Sequence, residues 1–485
     1  MKPETANRPW LALWALVLGF FMILVDSTIV SVATPVLKTE LNTSYNAVLW
    51  VTSAYLLAYV IPLLVTGRLG DRIGPKRVYL AGLTVFTLAS LWCGLTESIE
   101  GLIAARVVQG LGASMMTPQT MAVVTRTFAP QARGRAMALW GATAGAAMLV
   151  GPVLGGVIVQ NAGWQWIFLV NVPVGILGLV LAWLWVPNLE THSHTFDWLG
   201  VALSLVAVSL LTFGIQEGAT YNWGTITGWI SVPLLLGVGV LFFALFVWWQ
   251  SKNTREPLVP LSLFADRNFS IASTAVAAVS FTAISFPFPF ILWAQQAKGW
   301  TPTESGLLIA PMAILSIALA GPVGKAIDRN DPKRLTLWGF AISATAMALM
   351  SLAIRTEAGY IPILLVVGLL GLGNAFVWSP LATNATYNLP MALAGAGSGV
   401  YNTMRQLGSV IGSAAIAAAI SMQVARRLPG QQDLTSETAS TVLPAGAVAP
   451  FSLAMSEALY LVTAAYVVGF FLALFLKPRV ARVSA

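Results

Sequence analysis

Two ionisable side chains lie inside strongly apolar stretches of the chain, where they have the chemistry to carry a proton. Asp26 is the carboxylate placed most clearly inside an apolar run, and Arg106 lies inside a later one. A charge in the hydrocarbon of a bilayer is costly unless it faces a cavity or a partner. A carboxylate shielded from water holds its proton more firmly, whereas a neighbouring arginine favours its release. Such a pair can therefore bind and release a proton as the access of water changes.

The two side chains are predicted to lie at similar depths. Asp26 precedes Pro35, which we take as the outer end of the first span, by nine residues or ~13 Å. Arg106 lies about five residues, or ~8 Å, inside its own span, and its long side chain can reach further inward. Two alternatives remain open. Arg106 could extend to the membrane surface, or the two residues could form a structural ion pair that holds their spans together.

A charged, glycine-rich motif, GRLGDRIGPKR, follows the second apolar stretch. We place it on a short cytoplasmic turn, where its glycines allow a tight backbone and a close approach of helices. Its aspartate can stabilise a helix end or pair with the neighbouring basic residues. The alternative is an ordinary basic loop. The candidate residues of this motif are Gly67, Gly70, Asp71, Arg72 and Gly74.

A small-residue motif, GATAGAAMLVGPVLGG, occupies the fifth apolar stretch. Ala147, Gly151 and Gly155 recur every four residues and form a smooth face for close helix packing. Pro152 removes one backbone hydrogen bond and can kink the helix. Ordinary small-residue packing is the alternative, since it is common in membrane helices. The candidate residues here are Gly151, Pro152, Gly155 and Gly156.

Further polar and aromatic side chains lie at depths suited to a central substrate cavity. Arg405 lies about 11 residues, or ~16 Å, into its apolar stretch, so we expect it to face the cavity or an acceptor. A mostly apolar cavity with few fixed charges suits amphipathic organic compounds. One central carboxylate and two deep arginines do not restrict these compounds to cations. The predicted cavity residues are Tyr55, Tyr59, Gln119, Trp293, Asn374, Trp378, Asn402 and Arg405.

These residues belong to a chain with the composition of a membrane protein. Of its 485 residues, 57% are hydrophobic and only 9% are charged, and the mean hydropathy is +0.79. Soluble proteins carry roughly 25% charged residues, so this chain has too few to build a water-facing surface. The composition excludes a soluble enzyme, a disordered chain and a coiled coil. It predicts an all-α polytopic membrane protein, because a helix satisfies its own backbone inside a bilayer.

Fourteen apolar stretches are long enough to cross a bilayer. The first is predicted to be a retained span, because no small-residue cleavage site follows it. The stretches lie at about 10–34, 47–66, 78–95, 101–124, 136–159, 164–186, 197–215, 226–249, 268–293, 303–325, 335–354, 359–382, 394–421 and 454–476.

The distribution of Lys and Arg predicts the orientation of the chain. With the N-terminus inside, nineteen of the 26 basic residues fall on cytoplasmic segments and five on outer segments. Basic residues collect on cytoplasmic loops, so both termini are predicted to be cytoplasmic. The same bias accounts for the net charge of +8 without any binding of nucleic acid.

A weak internal repeat divides the chain into two parts. The motif at 67–77 has a degenerate copy at 321–334, and GLGASMMTP in the fourth span is echoed by GLGNAFVWSP in the twelfth. Many secondary transporters are built from repeats that meet at the substrate site. We therefore predict two six-helix bundles with spans 7 and 8 inserted between them. The predicted domains are 1–190, 191–255 and 256–485, the last with a long, mobile outer loop at 422–453.

The order and positions of these motifs resemble those of the major facilitator superfamily, in particular its fourteen-span drug:proton antiporters. GRLGDRIGPKR resembles the superfamily's signature loop, and RVVQGLGASMMTP (106–118) resembles its fourth-span motif. VDSTIVSVATP (25–35) resembles the first-span signature of the antiporters, and the Gly-Pro-x-x-Gly-Gly block resembles the motif that separates exporters from importers. Ser31, Thr34 and Ala147 depart from the usual residues of these motifs.

The resemblance implies a major facilitator fold with a role for each motif. The 67–77 segment would latch the two halves in the outward-facing state, while Arg106 would assist proton coupling at Asp26. The implied function is proton-coupled export of amphipathic organic compounds, including drugs, by alternating access. The implied location is the bacterial cytoplasmic membrane. The departures at Ser31 and Thr34 bear on substrate contacts rather than on protonation.

Three other functions fit parts of the sequence. A dedicated proton-coupled exporter of one metabolite, such as an amino acid, or of a lipid would share the fold and have a narrow substrate range. A membrane-embedded transferase would need several His, Asp or Glu residues at one membrane face, which the sequence lacks. A passive channel would need no proton site.

The sequence predicts no cofactor and no metal site. It contains no G-x-x-x-x-G-K-[S/T] motif, so we expect the proton gradient rather than ATP to drive transport. Cys93 is the single cysteine, and His192 and His194 lie in a loop without metal-ligand spacing. The expected partners are a small amphipathic molecule, protons and the lipid bilayer, without nucleic acid, and we expect a monomer.

Overall fold

The architecture is that of a bundle of long helices, seen in a computed structural model. The structure describes residues 9–43, 45–129, 132–191, 197–218, 220–221, 223–253, 257–428, 443 and 445–478.

The chain up to residue 191 forms eight helices, which we call the N-terminal helices. They are α1 (Pro9–Glu40), α2 (Tyr45–Val60), α3 (Leu63–Ile73), α4 (Pro75–Leu95), α5 (Ile99–Thr127), α6 (Arg133–Ala162), α7 (Trp166–Leu169) and α8 (Asn171–Trp185).

A helical hairpin follows, in the region predicted to be inserted. It consists of α9 (Trp198–Gln216), the short strands β1 (Thr225–Thr227) and β2 (Ile230–Ser231), and α10 (Val232–Lys252). The strands pair in antiparallel fashion. Large apolar side chains on α10, including Val240, Leu241 and Trp248, are exposed, as expected for a helix that faces lipid.

The chain from residue 257 onward forms the C-terminal helices. They are α11 (Arg267–Ser285), α12 (Pro287–Leu292), α13 (Pro302–Leu307), α14 (Ala310–Arg329), α15 (Pro332–Arg355), α16 (Tyr360–Thr386), α17 (Ala394–Arg427) and α18 (Ala445–Leu474). Short 3₁₀ turns at Leu261–Ala265 and Met391–Leu393 precede α11 and α17, and a π-helical turn at Trp293–Ala297 follows α12.

Within the described residues, eleven helical segments are long and apolar enough to cross a membrane, and α2 with α3 makes a twelfth. The helices α2 and α3 are bent by 45° relative to each other at the break that contains Pro62. The helices α5 and α6 have 29 and 30 residues but are not among these twelve. Arg106 and two glutamines lower the hydropathy of α5. The prediction of fourteen spans therefore stays a prediction.

Several helices continue past the apolar stretches from which the spans are predicted. The first helix runs past Pro35 to Glu40. The predicted outer loop 422–453 is also helical at both ends, since α17 continues to Arg427 and α18 begins at Ala445. Polar residues mark where the hydrocarbon ends, whereas a helix can extend beyond it into water.

The prediction that GRLGDRIG forms a turn is wrong. Residues 67–73 form the last two turns of α3, and the chain turns at Gly74, whose φ of 97° lies in the region that favours glycine. Pro75 then starts α4, where its missing N–H is not needed. The motif therefore places Asp71 on a rigid helix rather than on a loop.

The hydrophobic packing holds the N-terminal and C-terminal helices in contact. Two clusters of buried apolar side chains lie entirely within residues 12–189. The largest cluster includes Phe20 and Trp140 from the N-terminal helices and Phe269 and Tyr401 from the C-terminal helices. A continuous core thus connects the two sets, and the polar groups described below are embedded in it.

Candidate functional site

Asp26 and Arg106 form a fully buried ion pair. The Nη1 atom of Arg106 lies 2.5 Å from Oδ2 of Asp26, and both side chains are 0% exposed. The other carboxylate oxygen accepts hydrogen bonds from the side-chain amides of Gln109 at 2.9 Å and Asn171 at 3.0 Å. The alternative in which Arg106 reaches the membrane surface is excluded, because its guanidinium points inward to this carboxylate.

The same cluster positions the arginine. Nε of Arg106 donates to the carbonyl oxygen of Val51 at 3.0 Å, and Nη1 also donates to Gln109 at 2.7 Å. The guanidinium carbon lies 4.0 Å from the centre of the Tyr55 ring, a cation–π distance. The remaining nitrogen, Nη2, is buried without a partner. The guanidinium is thus bound through Nε and Nη1, while Nη2 has no hydrogen-bond partner.

Four helices build this cluster from residues far apart in the chain. Asp26 lies in the middle of α1, while Arg106 and Gln109 share a face of α5 because they are three residues apart. Ser90 on α4 accepts hydrogen bonds from both Gln109 and Asn171, at 3.1 and 3.0 Å. Gln109, Ser90 and Asn171 were not among the residues predicted from the sequence. Gln109 had a signal, since it belongs to the 106–118 motif, whereas Ser90 and Asn171 had none.

A small cavity lies between α6, α11, α14, α16 and α18. Its volume is about 70 Å³, well below the several hundred Å³ of typical ligand sites. Of the predicted cavity residues, Asn374 and Trp378 line it. Lining residues that the sequence analysis did not propose include Thr282, Phe286, Met312, Ser316 and Tyr466. The hydroxyl of Tyr466 donates to Oδ1 of Asn374 at 3.1 Å, which fixes that amide at the cavity wall.

None of the other six predicted cavity residues lines this cavity. Tyr55 and Tyr59 on α2 and Asn402 and Arg405 on α17 are buried in the core, and Arg405 donates to the hydroxyl of Tyr59 at 3.3 Å. Gln119 and Trp293 form the remaining group.

The structure gives Gln119 and Trp293 packing positions elsewhere. Gln119 donates to the carbonyl oxygen of Thr66 at 2.8 Å and lies against Gly70, where it joins α3 to α5. The indole of Trp293 donates to Ser452 at 3.2 Å between the C-terminal helices. Residue type and depth alone could not indicate these neighbours.

Two stacked tyrosines connect the deep arginines. Arg405 contacts the hydroxyl of Tyr59, whose ring stacks on Tyr55 with centroids 6.1 Å apart. The Tyr55 ring in turn lies under Arg106, the partner of Asp26. The buried ion pair and the arginine of the C-terminal helices are therefore in physical contact through aromatic side chains.

Asp71 joins the N-terminal helices to the start of α17. Its carboxylate accepts backbone hydrogen bonds from Gly395 at 2.9 Å and Ala396 at 2.8 Å, at the positive end of the helix dipole. It also pairs with Arg126 at 2.5 Å. Arg72 of the same motif is exposed. Asp71 thus binds the other set of helices.

Further contacts close the same side, which is the side predicted to be cytoplasmic. Arg126 donates to the carbonyl oxygen of Met391 at 3.0 Å, and Arg133 donates to that of Thr386 at 2.7 Å. Arg135 forms an ion pair with Asp328 at 2.8 Å. Each contact joins an N-terminal helix to a C-terminal one, so this side of the molecule is shut.

Glycines permit the close helix contacts around these groups. A Cβ on Gly67 would lie 2.6 Å from the carbonyl oxygen of Gly395, so α3 and α17 could not approach so closely with any other residue. A Cβ on Gly151 would lie 2.0 Å from Oγ1 of Thr28, whereas one on Gly156 would have nothing within 4 Å. Gly155 is buried on α6, which runs uninterrupted past residue 152, although the side chain of Pro152 lies outside the described residues.

Within the described parts of the chain, no group of three or more His, Cys, Asp or Glu side chains is arranged to hold a metal ion. His192 and His194 lie outside the described residues. The polar groups that converge inside the bundle are an ion pair, amides, hydroxyls and a second arginine. Such a set can bind protons and orient small molecules.

Comparison with known proteins identifies the family of this chain. The sequence profile of the Major Facilitator Superfamily matches residues 16–413. The chain belongs to the Major Facilitator Superfamily. Members of this family are transporters, so the protein is a transporter and not an enzyme, and it is a multi-pass protein of the bacterial cytoplasmic membrane.

Similar curated proteins are transporters with roles in export and resistance. An uncharacterized MFS-type transporter of Mycobacterium tuberculosis is 47% identical over 97% of this chain and 81% of its own length. The tetracenomycin C resistance and export protein of Streptomyces glaucescens is 32% identical over 87% of this chain and 78% of its own length. Other relatives are named multidrug resistance proteins, and one, 27% identical, is named a riboflavin transporter.

Solved structures agree with the fold. The proton:xylose symporter XylE is 13% identical and superimposes with a TM-score of 0.68 over 98% of this chain and 97% of its own. At this identity, the likeness establishes the major facilitator fold alone.

Proposed function

We propose that the protein is a proton-coupled antiporter that exports amphipathic organic compounds by alternating access. In this proposal it has fourteen spans and cytoplasmic termini, with bundles at 1–190 and 256–485 and an inserted pair at 191–255. The buried pair of Asp26 and Arg106 carries the proposal, because it is an ionisable carboxylate in the interior of a transporter. Relatives that export tetracenomycin C or confer multidrug resistance support the substrate class.

Asp26 takes the proton in the proposed mechanism. A proton from the outside binds the carboxylate, which removes the charge that holds Arg106. Breaking a buried pair leaves an uncompensated charge that costs about 3–5 kcal/mol, so the guanidinium is driven to a new arrangement. Nη2 of Arg106 has no hydrogen-bond partner, so the guanidinium can gain hydrogen bonds when it moves. Protonation of Asp26 is thereby coupled to a rearrangement of α1 against α5.

The closed side determines which half of the cycle the structure resembles. Asp71, Arg126, Arg133 and Arg135 all bind C-terminal helices on the predicted cytoplasmic side. Substrate entry from the cytoplasm requires these contacts to break and the cavity to enlarge. We propose that the contacts of Asp71 act as the latch of the outward-facing half of the cycle. The proton gradient supplies the energy, without a bound cofactor.

The first experiment uses inverted membrane vesicles with an acid interior and a dye that reports luminal pH. Amphipathic drugs, amino acids and lipids are added to vesicles with the wild type, Asp26→Asn, or the control Glu304→Gln, which alters an exposed carboxylate. We expect substrate-triggered proton release in the wild type and the control but not in Asp26→Asn. Equal responses in all three proteins would move the proton site away from Asp26.

The breadth of the response tests a second candidate, the dedicated exporter of one metabolite. The relative named as a riboflavin transporter supports keeping this alternative. A response to a single metabolite or lipid would favour it, whereas responses to several unrelated amphipathic drugs would contradict it.

A further inference from the structure

Arg405 is a buried charge without a counterion in the described residues. Its side chain is 7% exposed and lies about 11 residues, or ~16 Å, from the start of α17. No carboxylate of the described residues lies within ion-pair distance of it. An arginine at such a depth is costly to bury unless an anion or a water-filled cavity meets it.

The neighbours of Arg405 hold its guanidinium without neutralising it. Nη2 donates to the hydroxyl of Tyr59 at 3.3 Å, and the guanidinium carbon lies 5.6 Å from the Phe20 ring centre and 5.7 Å from that of Trp140. These two rings stack on each other with centroids 4.9 Å apart. Aromatic faces attract the cation weakly and fix its position, but they leave its charge in place.

Two buried donors at this position lack acceptors. Nε of Arg405 has no hydrogen-bond partner, and neither does the indole nitrogen of Trp140. A buried donor without an acceptor destabilises the protein, and it does so more strongly when it is charged. Both donors, one of them charged, would be satisfied by an anion bound between α6 and α17.

The protein's own central carboxylate does not supply this anion. Asp26 is already bound by Arg106, Gln109 and Asn171. The contact between Arg405 and that cluster runs through the stacked tyrosines and not through a carboxylate. A bound anionic ligand would supply the missing negative charge.

Trp140 lies one helical turn from a residue that lines the small cavity. Trp140 and Ala144 are four residues apart on α6 and share a face of it, and Ala144 lines that cavity together with Phe286 and Trp378. A ligand that reaches from Arg405 into the cavity would place an anionic group on the arginine and an apolar body against these aromatic rings. The arrangement matches an amphipathic acid.

We propose that the exported substrates include amphipathic anions, carboxylates or sulfonates with an apolar body, and that Arg405 binds their anionic group. The inference rests on the proposed export through the central cavity and narrows its substrate class. The proposed ligand is a soluble organic anion and not the headgroup of an anionic lipid.

Binding is measured by calorimetry on purified protein in phosphatidylcholine nanodiscs, with empty nanodiscs as background. The probes are pyrenebutyrate, pyrenesulfonate and the neutral pyrenebutanamide, which share one apolar body. We expect the wild type to bind both anions more tightly than the amide. The affinity for the sulfonate should stay constant as pH falls, whereas that for the carboxylate should fall with the ligand's own protonation.

Three variants locate the binding group. Arg405→Met should weaken binding of both anions by about 10- to 100-fold, the range for a hydrogen-bonded charge, and change amide binding by less than about threefold. The affinity of Arg405→Lys for the anions should lie between those of the wild type and Arg405→Met, because lysine keeps the charge but not the planar group. Arg427→Met is the matched control on the same helix, where the arginine pairs with Glu457, and it should bind all three probes as the wild type does.

Several outcomes would overturn the proposal. These are the absence of anion binding by the wild type, equal binding of anions and amide, unchanged anion binding by Arg405→Met, and an equal loss of all three probes. Displacement of the probes by added phosphatidylglycerol would assign the position to a lipid headgroup instead. Anion preference in the wild type tests the inference even if Arg405→Met fails to fold.

The proton-release assay separates this inference from the proposed function. An uncharged drug is added to inverted vesicles that contain Arg405→Met. Proton release with loss of anion binding supports both proposals, and proton release with anion binding unchanged contradicts only the role of Arg405. Anion binding by the wild type without proton release for any compound contradicts the antiport and leaves the anion site standing.

Discussion

At the scale of single residues, the membrane interior of this protein contains two kinds of charge. Asp26 and Arg106 are neutralised by each other and by surrounding amides, whereas Arg405 is held by a hydroxyl and two aromatic rings. In the two proposals above, the pair takes up the proton and Arg405 binds the anionic group of the substrate. The fit of these groups depends on residues without charge, above all on glycines where helices touch.

Gly151 provides a test of such a contact. In Gly151→Ala the new Cβ would meet Thr28, whose hydroxyl is fixed by hydrogen bonds to its own helix. Overpacking of this kind costs about 1–3 kcal/mol, so we expect a lower unfolding temperature and reduced transport. Gly156→Ala, on the same helix, should unfold close to the wild-type temperature because open space surrounds the added atom. Equal unfolding temperatures of both variants in detergent would contradict this role of Gly151.

At the scale of elements, one carboxylate joins the two helices of the hairpin, α9 and α10, to the chain that follows them. Asp197 begins α9 and accepts hydrogen bonds from Trp249 and Gln250 of α10 and from the backbone of Leu258, beyond the hairpin. The ring of Phe213 on α9 contacts Trp50 on α2 at a centroid distance of 5.8 Å. The inserted pair is therefore fastened at its predicted cytoplasmic end and packs against the N-terminal helices.

The titration of Asp197 tests this attachment. Burial alone would raise the pKa of Asp197, but hydrogen bonds from Trp249, Gln250 and two backbone N–H groups lower it below its ordinary value. A lowered pKa means that the charged form stabilises the fold above the ordinary value of about 3.9, and that this stabilisation is lost as pH falls through the lower, folded value.

We therefore expect Asp197→Asn to unfold at a lower temperature than the wild type at neutral pH. The difference should stay constant down to about pH 5 and shrink below about pH 4. Glu190→Gln, which alters an exposed carboxylate, is the control. A difference that grew as pH fell would contradict the assignment.

At the scale of the whole molecule, contacts between the N-terminal and C-terminal helices close one side. Asp71 and Arg126, which pair with each other, bind at and just before the start of α17, while Arg133 binds the end of α16 and Arg135 binds α14. Opening requires all of these contacts to separate. The cavity of about 70 Å³ is too small for a drug-sized compound, so binding and opening have to occur together.

Cross-linking tests whether the closed side must open. Cysteines replace Arg135 and Asp328, which lie on opposite sets of helices, in a Cys93→Ser background and are joined by a reducible bifunctional reagent. We expect the cross-link to stop transport and a reducing agent to restore it. Cysteines at Arg427 and Glu457, a pair within the C-terminal helices, are the control, and their cross-link should leave transport unchanged. Transport that continued with residues 135 and 328 joined would exclude alternating access at this side.

The sequence predicted the helical membrane fold and the family, because both follow from local properties. Apolar composition requires helices in a bilayer. The motif at 67–77 also pointed to Asp71, which binds the other set of helices. Of the eight cavity residues predicted from depth and residue type, Asn374 and Trp378 line the small cavity and the other six do not. Gln119 and Trp293 have suitable depths but pack between neighbouring helices, because depth does not determine which face of a helix points inward.

The sequence by itself determined that this is a multi-pass transporter with rare charges inside its membrane helices, since a charge in hydrocarbon needs a reason to be there. Only the tertiary structure decided which of those charges are neutralised. Asp26 meets Arg106, Gln109 and Asn171 from distant parts of the chain. Among the described residues, the guanidinium of Arg405 meets the hydroxyl of Tyr59 and the rings of Phe20 and Trp140 but no carboxylate. The physical reason is that burial cost is a property of each residue, whereas its compensation depends on which helices pack side by side.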